Sequence, residues 1–436
     1  LSREDPTLSG PAPDVRVRGA LLFDPATETL DEGDLLVRGG RVAGLGRVGP
    51  TGADVPTVAA DGCVVSPRFW DLHVHFREPG GEEAETIGSG VAAAIAGGYG
   101  LVCAMPNTDP VADAPEVLAR VRAAAARAGP CAVEPVSALS RGLLGRELVD
   151  FEAQAAAGAV AFSDDGAWLA DEALAERAFS ACARGGWLVM QHCEDPALSR
   201  GGCLHAAPEV LSRGLAPLVR EAEDRAVARD LRLAERLGAR LHVCHVSTRG
   251  AVEALREARA RGVAASGEAA PHHLTMTVAD ALAGGADHKM KPPLREPDDV
   301  AALVEGLSDG TIEAVATDHA PHPARRKAAG LSGAPFGAIG LETAFPVLHT
   351  RLVEAGRLPL ERLLAAMTAG PARVLRRPPP SLAPGQPADF VLADLRTSRV
   401  VDRDRLRSKS RNCPFHGWAL TGWPRGVYAR GGWARV

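Results

Sequence analysis

The stretch DLHVHFREPG, residues 71–80, places His73 and His75 one residue apart and Arg77 two beyond them. Alternate side chains of an extended strand share a face, so positions 73, 75 and 77 are expected on one face and Leu72, Val74 and Phe76 on the other. Four further short apolar runs end in groups of the same kind: Asp164 and Asp165 in AVAFSDDG, His192 in WLVMQHC, His245 in RLHVCHVS and Asp318 in IEAVATD. Imidazole and carboxylate without thiolate suit Zn2+ or a similar divalent ion at about 2.0–2.2 Å. A single strand-end histidine is more often a packed, hydrogen-bonded residue than a ligand. Six such positions at the same end of successive strands instead point to a shared metal centre. Two ions would fit, one held by His73, His75 and Asp318 and one by His192 and His245, with a carboxylate of the Asp164–Asp165 pair between them and a shared hydroxide as nucleophile.

Neighbouring residues with a competing claim read as structural. Cys193 and Cys244 adjoin ligand candidates but alternate to the opposite strand face, so they are expected to pack. His242, three before His245, is expected on the other face of its strand, and His319 is expected to turn away from Asp318. His272 and His273 in APHHL follow a strand and read as pocket-lining or backbone-bonded residues.

The elements that must position these groups alternate between apolar strand and amphipathic helix from residue 66 onward. FWDLHVHF, LVCAMP, CAVEPVSAL, AVAFS, WLVMQHC, RLHVCHVS, VAASGEAA and IEAVATD are the strands, with helical patterns such as APEVLARVRAAAARAG and LVREAEDRAVARDLRLAERLG between them. Eight such units match an α/β fold of the (β/α)8 barrel type, whose sites lie at the C-terminal strand ends. Residues 14–65 read as short strands and turns, and after the proline-rich RRPPPSLAPGQP the segments ADFVLADL and GVYARGGWARV read as strands again. The expected organisation is a disordered extension over 1–13, a barrel over 66–380, and one small flanking β-sandwich domain assembled from 14–65 and 381–436.

Composition narrows the class of function. Of 436 residues, 46% are hydrophobic and 24% charged, the balance of an ordinary globular protein. A net charge of -5 with interspersed signs leaves no basic patch for nucleic acid or an anionic membrane surface. LSREDPTLSGPAPD lacks the apolar run of a signal peptide, and nothing approaches about 18 uninterrupted apolar residues, so a cytoplasmic location is expected. Eight cysteines without a CxxC pair agree with a reducing compartment.

The series DLHVHFREPGGE, MPNTDP, AFSDDG, HCED, HVST, PPLR, ATDHAPH and PFGAIGLETAFPVLHT resembles the dihydroorotases of the longer, type I bacterial class, within the amidohydrolase superfamily, from about residue 15 to the C-terminus. The resemblance implies a metal-dependent hydrolase of cyclic amide C–N bonds that closes N-carbamoyl-L-aspartate into L-dihydroorotate in pyrimidine biosynthesis, with one or two Zn2+ ions per subunit. It assigns the bridge to Asp165 and a supporting role to Asp164, and makes Asp318 both metal ligand and general base. Arg77, Asn107 and His322 match positions that hold the substrate carboxylate, for which a planar guanidinium is well suited.

Several positions depart from the family pattern. Arg68 stands where glycine is common, Gly100 and Leu101 where threonines are usual, and Lys291 in KMKPPLR where many members carry asparagine near the substrate. Lys291 joins the expected substrate contacts if it turns inward. The loop 321–337, PHPARRKAAGLSGAPFG, has the length and polarity of a lid. Two other readings compete with this one. An allantoinase- or hydantoinase-like enzyme would usually carry a carboxylated lysine on strand four, whereas this chain has no lysine before Lys289. A non-catalytic scaffold for aspartate carbamoyltransferase would typically have lost ligands, and none is lost here. Homodimerisation and association with aspartate carbamoyltransferase are left open by the residues.

Overall fold

The structure, a computed structural model, describes residues 14–49 and 55–435; the expectation for 1–13 lies outside the described residues. Strands Phe69–Val74, Tyr99–Ala104 and Ala132–Pro135 pair in parallel, as do Leu188–Gln191, Arg240–Val243, Ala265–Ala269 and Ala314–Val315. The stave between the two runs is shorter than AVAFS predicts. Only Phe162 bridges Ser137 on one side and Val189 on the other, with Ser163 N donating to Ser137 O (2.8 Å) and Phe162 N to Leu188 O (2.9 Å). The chain leaves the sheet at once because Asp164 accepts hydrogen bonds from Leu139 N (2.8 Å) and Ser140 N (2.9 Å).

Closure between the eighth and first strands depends on Asp71. Fully buried, it accepts from Thr317 Oγ1 (2.6 Å), Thr317 N and His73 N, while His75 N donates to His319 O (2.8 Å). Burial raises the Asp71 carboxyl to about 7 against the lowering effect of these bonds. The result is a closed eight-staved barrel, as the pattern of apolar runs predicts.

Helices between the staves carry the expected signals. Thr86, Asp171 and Thr248 cap the helices Ile87–Ala96, Glu172–Gly185 and Arg249–Ala260 by accepting from Ser89, Leu174 and Ala251 N–H groups. Gly186 and Gly238 end two helices in the left-handed conformation. Val102, Val133, Val189 and Val243 face the helices and meet Val91, Leu174, Leu231 and Leu255. Leu101, Cys103, Val136, Leu188, Met190 and Ala314 fill the barrel interior below the strand ends.

One expectation fails here. Leu72 belongs to the interior cluster, not to the face shared by Val74 and Phe76. The strand's pairing register breaks between Asp71 and Val74, so simple alternation does not hold across His73.

Beside the barrel, Cys63–Pro67 pairs with both Val15–Asp24 and Phe390–Asp394, which brings the two ends of the described chain into one hydrogen-bonded network with Thr29–Arg38, Arg41–Gly46, Trp423–Ala429 and Gly432–Arg435. Val17, Leu35, Val65, Phe390 and Tyr428 pack together on its inner face.

Arg68 ties this sheet to the barrel by donating to Asp389 Oδ2 (3.2 Å) and Tyr99 O (3.2 Å). A Cβ at Gly100 would lie 2.9 Å from Arg68 Cβ and 3.2 Å from its guanidinium carbon. The two departures from the family pattern are therefore sterically matched. Gly100→Ala is expected to lose about 1–3 kcal/mol by overpacking in chemical denaturation, and distinctly less in an Arg68→Gly background; equal losses in both backgrounds would contradict the pairing.

Candidate metal centre

His73, His75, Asp165, His192, His245 and Asp318 converge above the interior cluster, all buried. Strand alternation delivers His192, which follows Leu188 and Met190 on the inward face. Backbone turns deliver others: His245 has φ +34°, Asp318 φ +47° and Arg77 φ +60°, a left-handed conformation uncommon for non-glycine residues.

The facing atoms crowd around Asp165. His73 Nε2 lies 3.2 Å from Asp165 Oδ1 and 3.7 Å from Asp318 Oδ1; His75 Nε2 lies 3.4 Å from Asp165 Oδ2 and 3.1 Å from Asp318 Oδ1. On the other side of the same carboxylate, His245 Nε2 is 3.6 Å and His192 Nδ1 3.9 Å from Oδ1, with those two nitrogens 3.0 Å apart. Tetrahedral ligands bound at about 2.0–2.1 Å stand about 3.3 Å apart, so these separations are those of ligand pairs sharing an ion. His73 Nε2 and Asp165 Oδ1 are buried with no hydrogen-bond partner, although they face each other. Among the described residues three groups could hold a cation: His73–His75–Asp165 and Asp165–His192–His245, which share Asp165, and His73–Cys244–Glu268 behind them.

The ring nitrogens turned away from this centre set its lone pairs. His73 Nδ1 donates to Glu268 Oε1 (2.9 Å) and His75 Nδ1 to Asn107 Oδ1 (2.8 Å), leaving each Nε2 free to coordinate. Glu268 also accepts from His242 Nε2 (3.0 Å). His242 is therefore not on an opposite face, as its spacing from His245 predicts; the turn at His245 lets both side chains enter the barrel. Cys244 likewise lies in the interior, within reach of the His73 ring, whereas Cys193 packs outside it. Asn107, expected as a substrate contact, is first a partner of His75, with its amide nitrogen 3.4 Å from Asp165 Oδ2. Glu268 escaped the sequence reading, although a lone charge inside VAASGEAA was its signal.

Charges in the cluster balance one another. Burial alone would lower His73, but the Asp165 carboxylate beside it raises it well above the usual histidine range. Burial would raise Asp165 and Asp318, yet the imidazoles facing them hold both below the usual carboxylate range. Burial, with the charge of His245, lowers His192 to about 4.

A cavity of about 340 Å3 opens beside the cluster, lined by Arg77, Asn107, Lys291, His322 and Phe336 together with five of the candidate ligands, His73 lying beneath it. Arg77 is anchored through Nε to Pro321 O (3.3 Å). Lys291 turns inward enough to line the cavity, but its ammonium pairs with Glu194 Oε1 at 2.9 Å. Burial and the Arg77 charge lower His322 to about 3, and its Nε2 donates to Phe336 O (2.7 Å). The expected lid has helical turns at Ala324–Lys327 and Gly330–Gly333, and two buried lysines hold its carbonyls: Lys327 at Gly337 (2.8 Å) and Lys289 at Ala334 (2.8 Å). Asp164 faces away, His319 turns to Glu85, and His273 donates to Pro292 O (2.9 Å). No helix among the described residues is long and apolar enough to cross a membrane.

A family model described as Dihydro-orotase-like matches residues 62–251. The chain is 44% identical to a dihydroorotase of Pelotomaculum thermopropionicum over 94% of its length and 95% of the relative's, and 40% identical to one of Bacillus subtilis over 92% and 93%. Among solved structures, the L-hydantoinase (dihydropyrimidinase) of Arthrobacter aurescens superposes with a TM-score of 0.85 at 27% identity, covering 96% of this chain and 95% of the other. With the converging histidines and aspartates at the strand ends and sequence similarity of this extent along almost the whole length, the chain belongs to the dihydroorotase family.

Proposed function

We propose that this protein is a zinc-dependent cytoplasmic dihydroorotase that interconverts N-carbamoyl-L-aspartate and L-dihydroorotate in pyrimidine synthesis. The observation that carries the reading is the pairing, across one cavity, of a cation-demanding cluster with Arg77, a group suited to a carboxylate, with His322 beside it. His73, His75, Asp165, His192, His245 and Asp318 would hold one or two zinc ions, with Asp165 shared. Bound there, zinc would polarise the scissile carbonyl and make water nucleophilic near neutral pH.

The chain's own residues supply the remaining steps. Arg77 grips the ring carboxylate and, with Asn107 and His322 beside it, sets the ring against the cluster. Asp318, kept ionised by the imidazoles around it, accepts the proton of the attacking water. It returns that proton to the ring nitrogen as the C–N bond breaks, and the reverse sequence closes the ring with loss of water. Glu268 and Asn107 keep His73 and His75 in the tautomers that leave Nε2 unprotonated. Phe336 adds an apolar surface to the cavity wall. Against the hydantoinase-like alternative stand Asp165, common to two of the triads in a chain with no lysine before Lys289, and Arg77, which answers a charge that hydantoin lacks.

Purified protein is expected to turn over dihydroorotate and not hydantoin or allantoin in a spectrophotometric assay; the opposite preference would overturn the reading. Asp318→Asn should retain the fold by circular dichroism while lowering kcat by at least about 10²–10⁴-fold. Exhaustive chelation should abolish turnover and lower Tm, and zinc should restore both at one or two equivalents per chain, followed by elemental analysis. Glu268→Gln should weaken zinc binding by about 10–100-fold in competition titrations; unchanged affinity would contradict its support of His73.

A further inference from the structure

The roof of the cavity is secured from outside the barrel. Asn412 lies in SKSRNCPF, residues 408–415, is 3% exposed, and has every side-chain hydrogen-bonding group engaged by the two ends of the segment 320–337. Its Oδ1 accepts from His322 N (3.1 Å), and its Nδ2 donates to Ala320 O (3.0 Å) and Gly337 O (3.1 Å). Its backbone carbonyl accepts from Ile339 N (3.0 Å). The point where the chain leaves strand eight and the point where the roof returns are thus clasped by one amide.

The clasp is itself held. Buried Glu85, in the loop after the first barrel strand, accepts from Ser408 Oγ and from Lys409 N (3.0 Å), and Ser410 Oγ donates to Ala84 O (2.7 Å). Glu342 accepts from Arg407 N (2.7 Å) and Ser408 N (3.1 Å). At position 412 one acceptor and two donors are required in a site closed to water. Aspartate lacks the donors, and alanine would leave Ala320 O and His322 N unpaired, with Gly337 O keeping only Lys327 Nζ.

The consequence falls on His322. Its ring donates from Nε2 to Phe336 O, so that nitrogen cannot also accept from Arg77, whose Nη2 stands 3.5 Å away. The imidazole is thus fixed beside the guanidinium by two anchors, its own N–H on Asn412 and its ring on the roof. We infer that Asn412 is a positioning residue that sets His322 and the cavity roof against Arg77 for recognition of an anionic substrate. This rests on the reading that Arg77 and His322 face the carboxylate of dihydroorotate.

The test is a double-mutant cycle on zinc-loaded full-length enzyme, with Asn412→Ala, His322→Ala and the pair, assayed with dihydroorotate. Asn412→Ala is expected to raise KM about tenfold with kcat within about threefold, and to add less than about twofold in the His322→Ala background. An equal KM factor in both backgrounds, or a fall in kcat alone, would overturn the inference. Should Asn412→Ala fail to fold, Asn412→Asp, which keeps the acceptor and removes both donors, replaces it in the cycle with the same two outcomes. Hydrogen exchange on the wild-type protein adds a second readout: amides of His322 and Ile339 as slow as those of the barrel strands support the clasp, and exchange at exposed-loop rates overturns it. If His322→Ala leaves KM unchanged, the carboxylate reading fails and this role with it; a normal His322→Ala effect without coupling to Asn412 sinks the inference alone.

Discussion

Asp165 sits at the focus of four imidazoles, beside a second carboxylate, and all of them are buried. Uncompensated charge in such a place costs several kcal/mol, and lone pairs aimed at one another lower it further only when something positive lies between them. Protons can fill part of that need, which is why His73 is drawn upward and Asp165 downward. They cannot satisfy the geometry: His73 Nε2 and Asp165 Oδ1 face each other unbonded, and the two nitrogens of His192 and His245 stand 3.0 Å apart. Metal cations placed between these atoms would answer such contacts. The barrel's rigidity is what keeps the groups in place against their mutual repulsion.

That rigidity is used where regular strand geometry ends. A broken register at Asp71–Val74 and left-handed residues at His245 and Asp318 turn side chains inward that alternation would send elsewhere. Each left-handed non-glycine residue costs about 1–2 kcal/mol. The surrounding bonds offset this cost: Asp71 staples strand one to Thr317 beside Asp318, and Glu268 spans His73 and His242 across the interior. Structural and chemical roles therefore meet in the same few buried carboxylates.

The flanking sheet extends the same logic outward. Its strands come from both ends of the chain, Arg68 binds it to the lower rim of the barrel, and the segment around Asn412 reaches the upper rim near the cavity. The roof over the cavity is held by backbone carbonyls on Lys289, Lys327 and Asn412, all of them buried. A hydrophilic-looking loop is thus an ordered part of the wall that faces the candidate substrate contacts.

Local periodicity alone determined much of this protein. Eight apolar runs, the helices between them and their capping residues depend on neighbours within a few positions, so the barrel and the strand ends that carry the candidate ligands were legible in the residues; the roles proposed for Asp165 and Asp318, and for Arg77, Asn107 and His322, came from motif resemblance. Tertiary structure decided what depends on partners far apart in the chain. It assigned Asn107 to His75, placed His242 and Cys244 inside the barrel, moved Leu72 to the interior, and brought Glu268 to His73 across 195 positions. Turns with positive φ and register breaks arise from long-range hydrogen bonds that no short window contains, and the fine geometry of the centre follows from them.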